Sequence, residues 1–271
     1  MIGQLDHPAV RQARISTAIY AAIASAGFFG SATPASMRFS WFVRTVALAA
    51  FASSCLLARA AELPDGFVFL SDIDSTIRQD MRYAGRNNFT GSVLPGYLAP
   101  ECVLRRPAAN ALAKVQRDLV ERGYTLKVFD CYRPLKAVKR FAEWAEDGGA
   151  VDPRYHPRLK RSQLIERGYI ARRSGHSTGN AVDLTITTIQ GDEVDMGTTF
   201  DFFDPKSHAD AAGLSEVARR SRRMLADVLR KHGFSAYRRE WWHFTFGSAS
   251  APSVDFDIER SSTVSKRPFP K

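Results

Sequence analysis

Ser174-Gly175-His176-Ser177-Thr178-Gly179-Asn180-Ala181-Val182-Asp183-Leu184-Thr185-Ile186-Thr187 is the stretch on which the fold turns. From Ala181 the apolar residues alternate strictly, with Val182, Leu184 and Ile186 on one side. The segment Ala181 to Thr187 is therefore predicted as a β-strand with that face on a core, and Asp183 falls on the opposite face. Ahead of the strand, a Gly-rich turn holds His176 seven positions before Asp183. Such a turn is able to fold a nitrogen donor back beside an oxygen donor.

On the N-terminal side, Ala108, Leu112, Val115 and Leu119 carry helical spacing, with Pro107 near the start and Gly123 past the end, which predicts a helix over Pro107 to Arg122. Tyr124 to Phe129 then reads as a short strand. Pro134 to Glu146 reads as a second helix, with Leu135, Val138, Phe141, Ala142 and Ala145 inward and Gly148-Gly149 closing it. Asp152 to Arg173 is polar and contains prolines. On the C-terminal side, Ser215 is a good N-cap for a helix running to His232, stopped by Gly233. Two aromatic-rich strands follow, near Phe234 to Tyr237 and Trp241 to Phe246. Strands and helices mix without regular βαβ alternation, so the expected fold is α+β, a single domain with a small, largely antiparallel sheet flanked by helices.

The first sixty residues differ in composition. From Met37 a positive n-region leads into an apolar run from Thr45 to Leu57, and Ala58-Arg59-Ala60 gives a small-x-small cleavage site, the pattern of a secretory signal peptide. The apolar run is shorter than the ~20 residues of a membrane span, so no span is expected after its removal. Met37 is the expected start, residues 1–60 leader and signal, 61–258 the catalytic domain and 259–271 a polar tail. Secretion, to a periplasm, is the expected destination. Anchoring through a lipid on Cys55 is the alternative. The leader holds five of the 38 basic and one of the 28 acidic residues, so its removal takes the net charge from +10 to +6. Basic residues are scattered, and the densest group, Arg219, Arg220, Arg222, Arg223 and Arg230, lies in a helical pattern that reads as a solvated face, which argues against a nucleic-acid partner. Two cysteines remain, Cys102 and Cys131, and in an oxidising compartment they are expected to pair; two buried free thiols are the other possibility.

Two of the five histidines beyond residue 60 sit in organised surroundings: His176 in the opening stretch, and His243 at the end of Glu240-Trp241-Trp242-His243. A catalytic zinc needs three protein ligands, an open position and a nearby base that is not a ligand. His176, Asp183 and His243 supply the first set and Glu240 the base. The plainer alternative has His176 bonding its turn, Asp183 capping something local and Glu240 pairing with Arg238 or Arg239. Glu240 and His243 also stand an odd number of residues apart, so on a regular strand they would face opposite ways. Either a bulge or a strand that begins after Glu240 is required.

Ser-x-His-x-x-Gly-x-Ala-x-Asp, followed some sixty residues later by Glu-x-x-His, resembles the zinc peptidases of the D-alanyl-D-alanine dipeptidase (VanX-type) family. Asp80-Met81-Arg82-Tyr83-Ala84, Asn88-Phe89-Thr90-Gly91, Asp130-Cys131-Tyr132-Arg133-Pro134, Gly168-Tyr169, Met196-Gly197 and Phe200-Asp201-Phe202 extend the likeness over about residues 65 to 258. The resemblance implies one Zn2+ per chain on His176, Asp183 and His243, and hydrolysis of the D-Ala-D-Ala dipeptide by a metal-bound water. It further implies Glu240 as general base and Arg133 facing the oxyanion. Asp201 would meet the substrate ammonium and Ser174 its carboxylate, with Tyr83 also in the substrate-binding set. Arg133 has a plainer alternative, a structural pair with Asp130, and Asp201 has one as a surface charge. His156, His208 and His232 read as surface or capping residues. Gly175 stands where the family commonly has Ser, and Cys131 where it has Gly. A D,D-carboxypeptidase or peptidoglycan endopeptidase of the same architecture would share the ligands but need an open cleft; a non-catalytic zinc-containing binding module would need neither Glu240 nor Arg133.

Overall fold

The computed structural model of the chain describes residues 63–248 and 251–260. The expected leader, Cys55 and the polar tail beyond Arg260 lie outside them. Among the described residues no helix is long and apolar enough to cross a membrane.

A five-stranded sheet carries the domain, in the order β2 (Arg78–Gln79), β4 (Tyr124–Asp130), β5 (Ala181–Thr188), β7 (His243–Phe246) and β6 (Phe234–Ala236). β2 runs parallel to β4 and every other pair is antiparallel. A second, two-stranded antiparallel sheet pairs β1 (Phe67–Phe69) with β3 (Val103–Arg105). The helices are α1 (Leu70–Ile73), α2 (Arg106–Val120), α3 (Leu135–Glu146), α4 (Gln163–Glu166) and α5 (Glu216–Lys231). The architecture is the expected α+β one. α4 falls inside the Asp152 to Arg173 stretch, where a four-residue helix leaves no periodicity to read.

The helices form where their apolar stripes meet the sheet. Ala108, Leu112, Val115 and Leu119 of α2 are fully buried. At the gains typical of apolar burial, about 1.5–3 kcal/mol for each large aliphatic side chain, that stripe fixes the face α2 presents. Gln116, buried on the same helix, donates to Thr125 Oγ1 at 2.8 Å and accepts from the Leu126 amide at 2.9 Å, which locks α2 to β4. Ser215 caps α5 as expected, accepting from the Ala218 amide at 3.0 Å.

Four expectations are corrected. Leu135, expected inward, is exposed at the first position of α3. Arg219, Arg220 and Arg223 pair with Glu216 on an exposed face, but Arg222 points inward and is 4% exposed. An apolar stripe wide enough to cover the core had taken in a charged position whose partners lie far away in sequence. His156 is also buried, its Nδ1 2.7 Å from the Leu159 carbonyl and its ring beside Trp144. β5 is buried on both faces, Asp183 included, because it is the central strand and loops close over the side away from Val182, Leu184 and Ile186.

Cys102 and Cys131 form a disulfide that ties the start of β3 to the residue after β4, with 5.3 Å between their Cα atoms. At the C-terminal end Ile258 is buried and bridges Tyr97, and Arg260 donates to Ser71 Oγ at 2.8 Å.

Candidate metal centre and substrate cleft

Strand register builds the centre. Asp183 of β5 stands opposite His243 of β7 on one side and Asp130 of β4 on the other, with a register shift between Val128 and Asp130. One row across three strands therefore holds Asp130, Asp183 and His243 at the same end of the sheet. His176 joins them from a 3-10 turn, Gly175–Thr178, that enters β5. Ser174 caps this turn by accepting from the His176 amide at 3.2 Å, and Gly179 ends it in the left-handed region at φ +77°. A Cβ at Gly179 would lie 2.3 Å from the Phe67 ring, so only glycine fits there.

The donor atoms converge. His176 Nε2 lies 3.0 Å from His243 Nδ1 and 3.2 Å from Asp183 Oδ2, and His243 Nδ1 lies 3.0 Å from Asp183 Oδ1. Bonds of about 2.0–2.1 Å to a tetrahedral zinc put its ligand atoms about 3.3 Å apart, so this donor set fits that ion. His176 Nδ1 donates to the Cys131 carbonyl at 2.7 Å, which leaves the Nε2 lone pair facing the cluster. Among the described residues this is the one group of three or more His, Cys, Asp or Glu side chains that converges in this way. Burial opposes ionisation of Asp183, but the two rings outweigh it and hold the carboxyl well below the ordinary carboxylate range. Burial likewise works against a charged His243, yet Asp183 and Glu240 raise its pKa above the usual value.

Glu240 Oε2 is 3.9 Å from His243 Nδ1, at the edge of the cluster rather than among the closest donors. The parity problem is solved by a late strand start: β7 begins only at His243, and the turn through Trp241 and Trp242 brings Glu240 to the same side. Burial pushes Glu240 up to about 7, with His243 and Arg133 pulling down and Asp183 pushing the same way as burial.

Arg133 makes the pair with Asp130 and also reaches the cleft wall. Its Nε and Nη2 donate to Asp130 Oδ2 at 2.9 and 2.8 Å, while its Nη1 sits 3.4 Å from Ser174 Oγ on the cleft wall. Nη2 is also 3.6 Å from Asp183 Oδ2. Burial works against the guanidinium charge, but Asp130 outweighs it and raises the pKa well above the usual value. Asp130 is fully buried and also accepts from Tyr97 Oη at 2.6 Å. It was visible in the sequence only as a possible partner for Arg133, and nothing local announced that Tyr97, Arg133 and His176 all converge on it.

Asp201 is no surface charge. It is buried in a turn, at φ +59°, and Tyr83 Oη reaches both of its oxygens at 3.1 and 3.0 Å. At positive φ its side chain turns into the cleft. Burial, with Asp183 adding to it, raises Asp201 well above the ordinary carboxylate range.

The cleft that joins these residues has a volume of about 240 Å³ and is walled by Tyr83, Phe141, Tyr169, Phe203 and Trp242. Sites for drug-sized ligands start at roughly 300 Å³, so this one suits a small substrate. One end carries the metal ligands and Glu240, and the wall carries Arg133, Ser174 and Asp201.

Comparison with known proteins gives a consistent picture. Residues 64–261 match the peptidase family described as D-ala-D-ala dipeptidase. The D-alanyl-D-alanine dipeptidase of Enterococcus faecium is 37% identical over 196 residues, covering 71% of this chain and 97% of that protein. The corresponding protein of Streptomyces coelicolor is 37% identical over 71% of this chain and 96% of its own length, and that of Escherichia coli is 30% identical over 72% and 90%.

Proposed function

The chain belongs to the D-Ala-D-Ala dipeptidase family of peptidases, and from that premise we propose that it hydrolyses the D-alanyl-D-alanine dipeptide with zinc held by His176, Asp183 and His243. The observation that carries the proposal is that a three-donor cluster and the buried carboxyl of Asp201 line one cleft of about 240 Å³. Zinc bound there would supply Lewis acidity, lowering the pKa of a water and polarising the scissile carbonyl.

The chain's own residues do the rest. Glu240, beside the ligands and raised to about 7, takes a proton from the attacking water and returns it to the leaving amine. Arg133, fixed by Asp130, presents Nη1 to the carbonyl oxygen as charge builds on it. Asp201, steadied by Tyr83, receives the substrate ammonium, and Ser174 helps to hold its carboxylate. A polypeptide substrate lacks that free ammonium at the cleaved bond, which sets the dipeptidase reading above a carboxypeptidase or endopeptidase one. Export through the signal pattern from Met37 belongs to the same proposal, and the Cys102–Cys131 disulfide supports an oxidising destination.

The test is to incubate zinc-loaded protein with D-Ala-D-Ala, L-Ala-L-Ala and an N-acylated D-Ala-D-Ala peptide. Cleavage of the first alone is expected. Equal or faster cleavage of the acylated peptide would replace the dipeptidase reading with a carboxypeptidase one.

A further inference from the structure

We infer that Arg222, on α5 and outside the cleft, is a positioning residue that clamps the loop carrying Asp201 to the turn carrying Glu240. The inference rests on the roles given to those two residues above.

Among the described residues, no carboxylate pairs with the buried guanidinium of Arg222. Nε donates to the Met196 carbonyl at 2.8 Å, Nη1 to the His208 carbonyl at 2.6 Å, and Nη2 to the Lys206 carbonyl at 3.0 Å. Burial pulls its pKa down to about 10, with Asp195 offsetting part of that from a distance. Nη2 also lies 3.5 Å from Thr198 Oγ1, and a charge buried among neutral acceptors is costly to keep, so its retention calls for a specific use. Those three carbonyls belong to the two ends of one loop, 196–208. The loop contains no strand to satisfy them, and a planar fork of five donors serves all three at once.

The centre of that loop is Asp201, the one non-glycine residue with positive φ among those described. A residue in that conformation persists only when its surroundings over-determine it. Arg222 closes the base of the loop, and Ser207 Oγ, donating to the Phe202 carbonyl at 2.6 Å, braces it from inside. The same brace continues to the other end of the site. Trp241 Nε1 donates to Thr198 Oγ1 at 2.8 Å, the Trp241 amide donates to the Ser207 carbonyl at 3.0 Å, and the Arg222 guanidinium lies 5.8 Å from the Trp241 ring centroid. Trp241 directly follows Glu240. The contact for the substrate ammonium and the base that acts on the bond thus hang on one hydrogen-bonded frame, with Arg222 at its root.

The experiment is a double-mutant cycle with Arg222→Lys and Asp201→Asn in the zinc-loaded protein, assayed well below the melting temperature. With Asp201 present, Arg222→Lys should lower kcat/KM for D-Ala-D-Ala by about tenfold or more, with zinc content unchanged, as displacement of a positioned group does. With Asn at position 201, the same substitution should lower kcat/KM by a smaller factor, since only the part of its effect that runs through the Glu240 turn remains. Equal factors in both backgrounds, or no effect in the Asp201 background, would overturn the inference. Amide exchange gives a readout that needs no turnover: Arg222→Lys should speed exchange at 199–203 and 240–242 while leaving β4 and β5 unchanged. Uniformly faster exchange, or none, also overturns it. If the wild type fails to cleave the dipeptide, the functional reading falls and the exchange result alone decides this one. Should Arg222→Lys not fold, Thr198→Val removes the hydroxyl that accepts from Trp241 Nε1 at 2.8 Å and lies 3.5 Å from Arg222 Nη2, and the same local exchange is expected; unchanged exchange at 199–203 and 240–242 overturns the inference.

Discussion

Arg133→Lys separates two jobs of one side chain, the pair with Asp130 that the structure shows and the oxyanion contact proposed above. Lysine ends at about the level of the guanidinium carbon, one bond short of Nη1. It is therefore able to reach Asp130, which accepts from Nε and Nη2 at 2.9 and 2.8 Å, but not the position from which Nη1 faces the cleft. Asp130 is fully buried, so leaving it without a cation would be severe, and lysine avoids that. The stability loss is then about one charge-assisted hydrogen bond, about 1.5–3 kcal/mol, or a Tm lower by about 3–12 °C in a domain of this size. The catalytic loss is a whole oxyanion donor. Removing one costs a factor on the order of 10²–10³ in turnover. The assay measures kcat and KM for D-Ala-D-Ala at 25 °C alongside zinc content and thermal melting. A fall of that size in kcat, with zinc retained, is the expected result. Turnover within about threefold of wild type would refute the oxyanion role and leave Arg133 as the counter-charge of Asp130.

Three other outcomes are expected. His243→Ala should lose zinc, whereas Glu240→Ala should keep it and lose most turnover, since only His243 is among the three closest donors; a metal-free Glu240→Ala protein would make Glu240 a ligand. Removing the disulfide by Cys102→Ala with Cys131→Ala opens a loop of 29 residues, for which chain entropy gives about 3.6 kcal/mol. That should appear as a Tm lowered by about 7–14 °C, and a shift under about 2 °C would show that the loop-entropy argument does not apply here. Expression from Met37 in a bacterium should yield protein beginning near Ala61, checked by intact mass, and a retained leader or a lipid on Cys55 would overturn the export proposal.

Local pattern was enough for some of this protein and could never have been enough for the rest. The alternation from Ala181 to Thr187, the stripe of α2 and the Ser215 cap are each decided by neighbours within a few residues, and each element formed where its pattern placed it. The residue types at 176, 183, 240 and 243 likewise announced a metal and a base, because few other uses gather two imidazoles and two carboxylates in such short motifs. What the chain order does not contain is register. Asp130, Asp183 and His243 share a row only because β4, β5 and β7 pair as they do, and the late start of β7 is what turns Glu240 toward His243. Arg222 shows the same limit from the other side. In sequence it is one more arginine on a basic helix, since its partners at 196, 206 and 208 lie on a loop that only the packing of α5 brings to it. Asp201 is decided the same way, its side chain turned inward by a backbone conformation that a distant arginine holds in place. Periodicity reports which face of an element is buried; which distant groups meet there is set by how the elements pack.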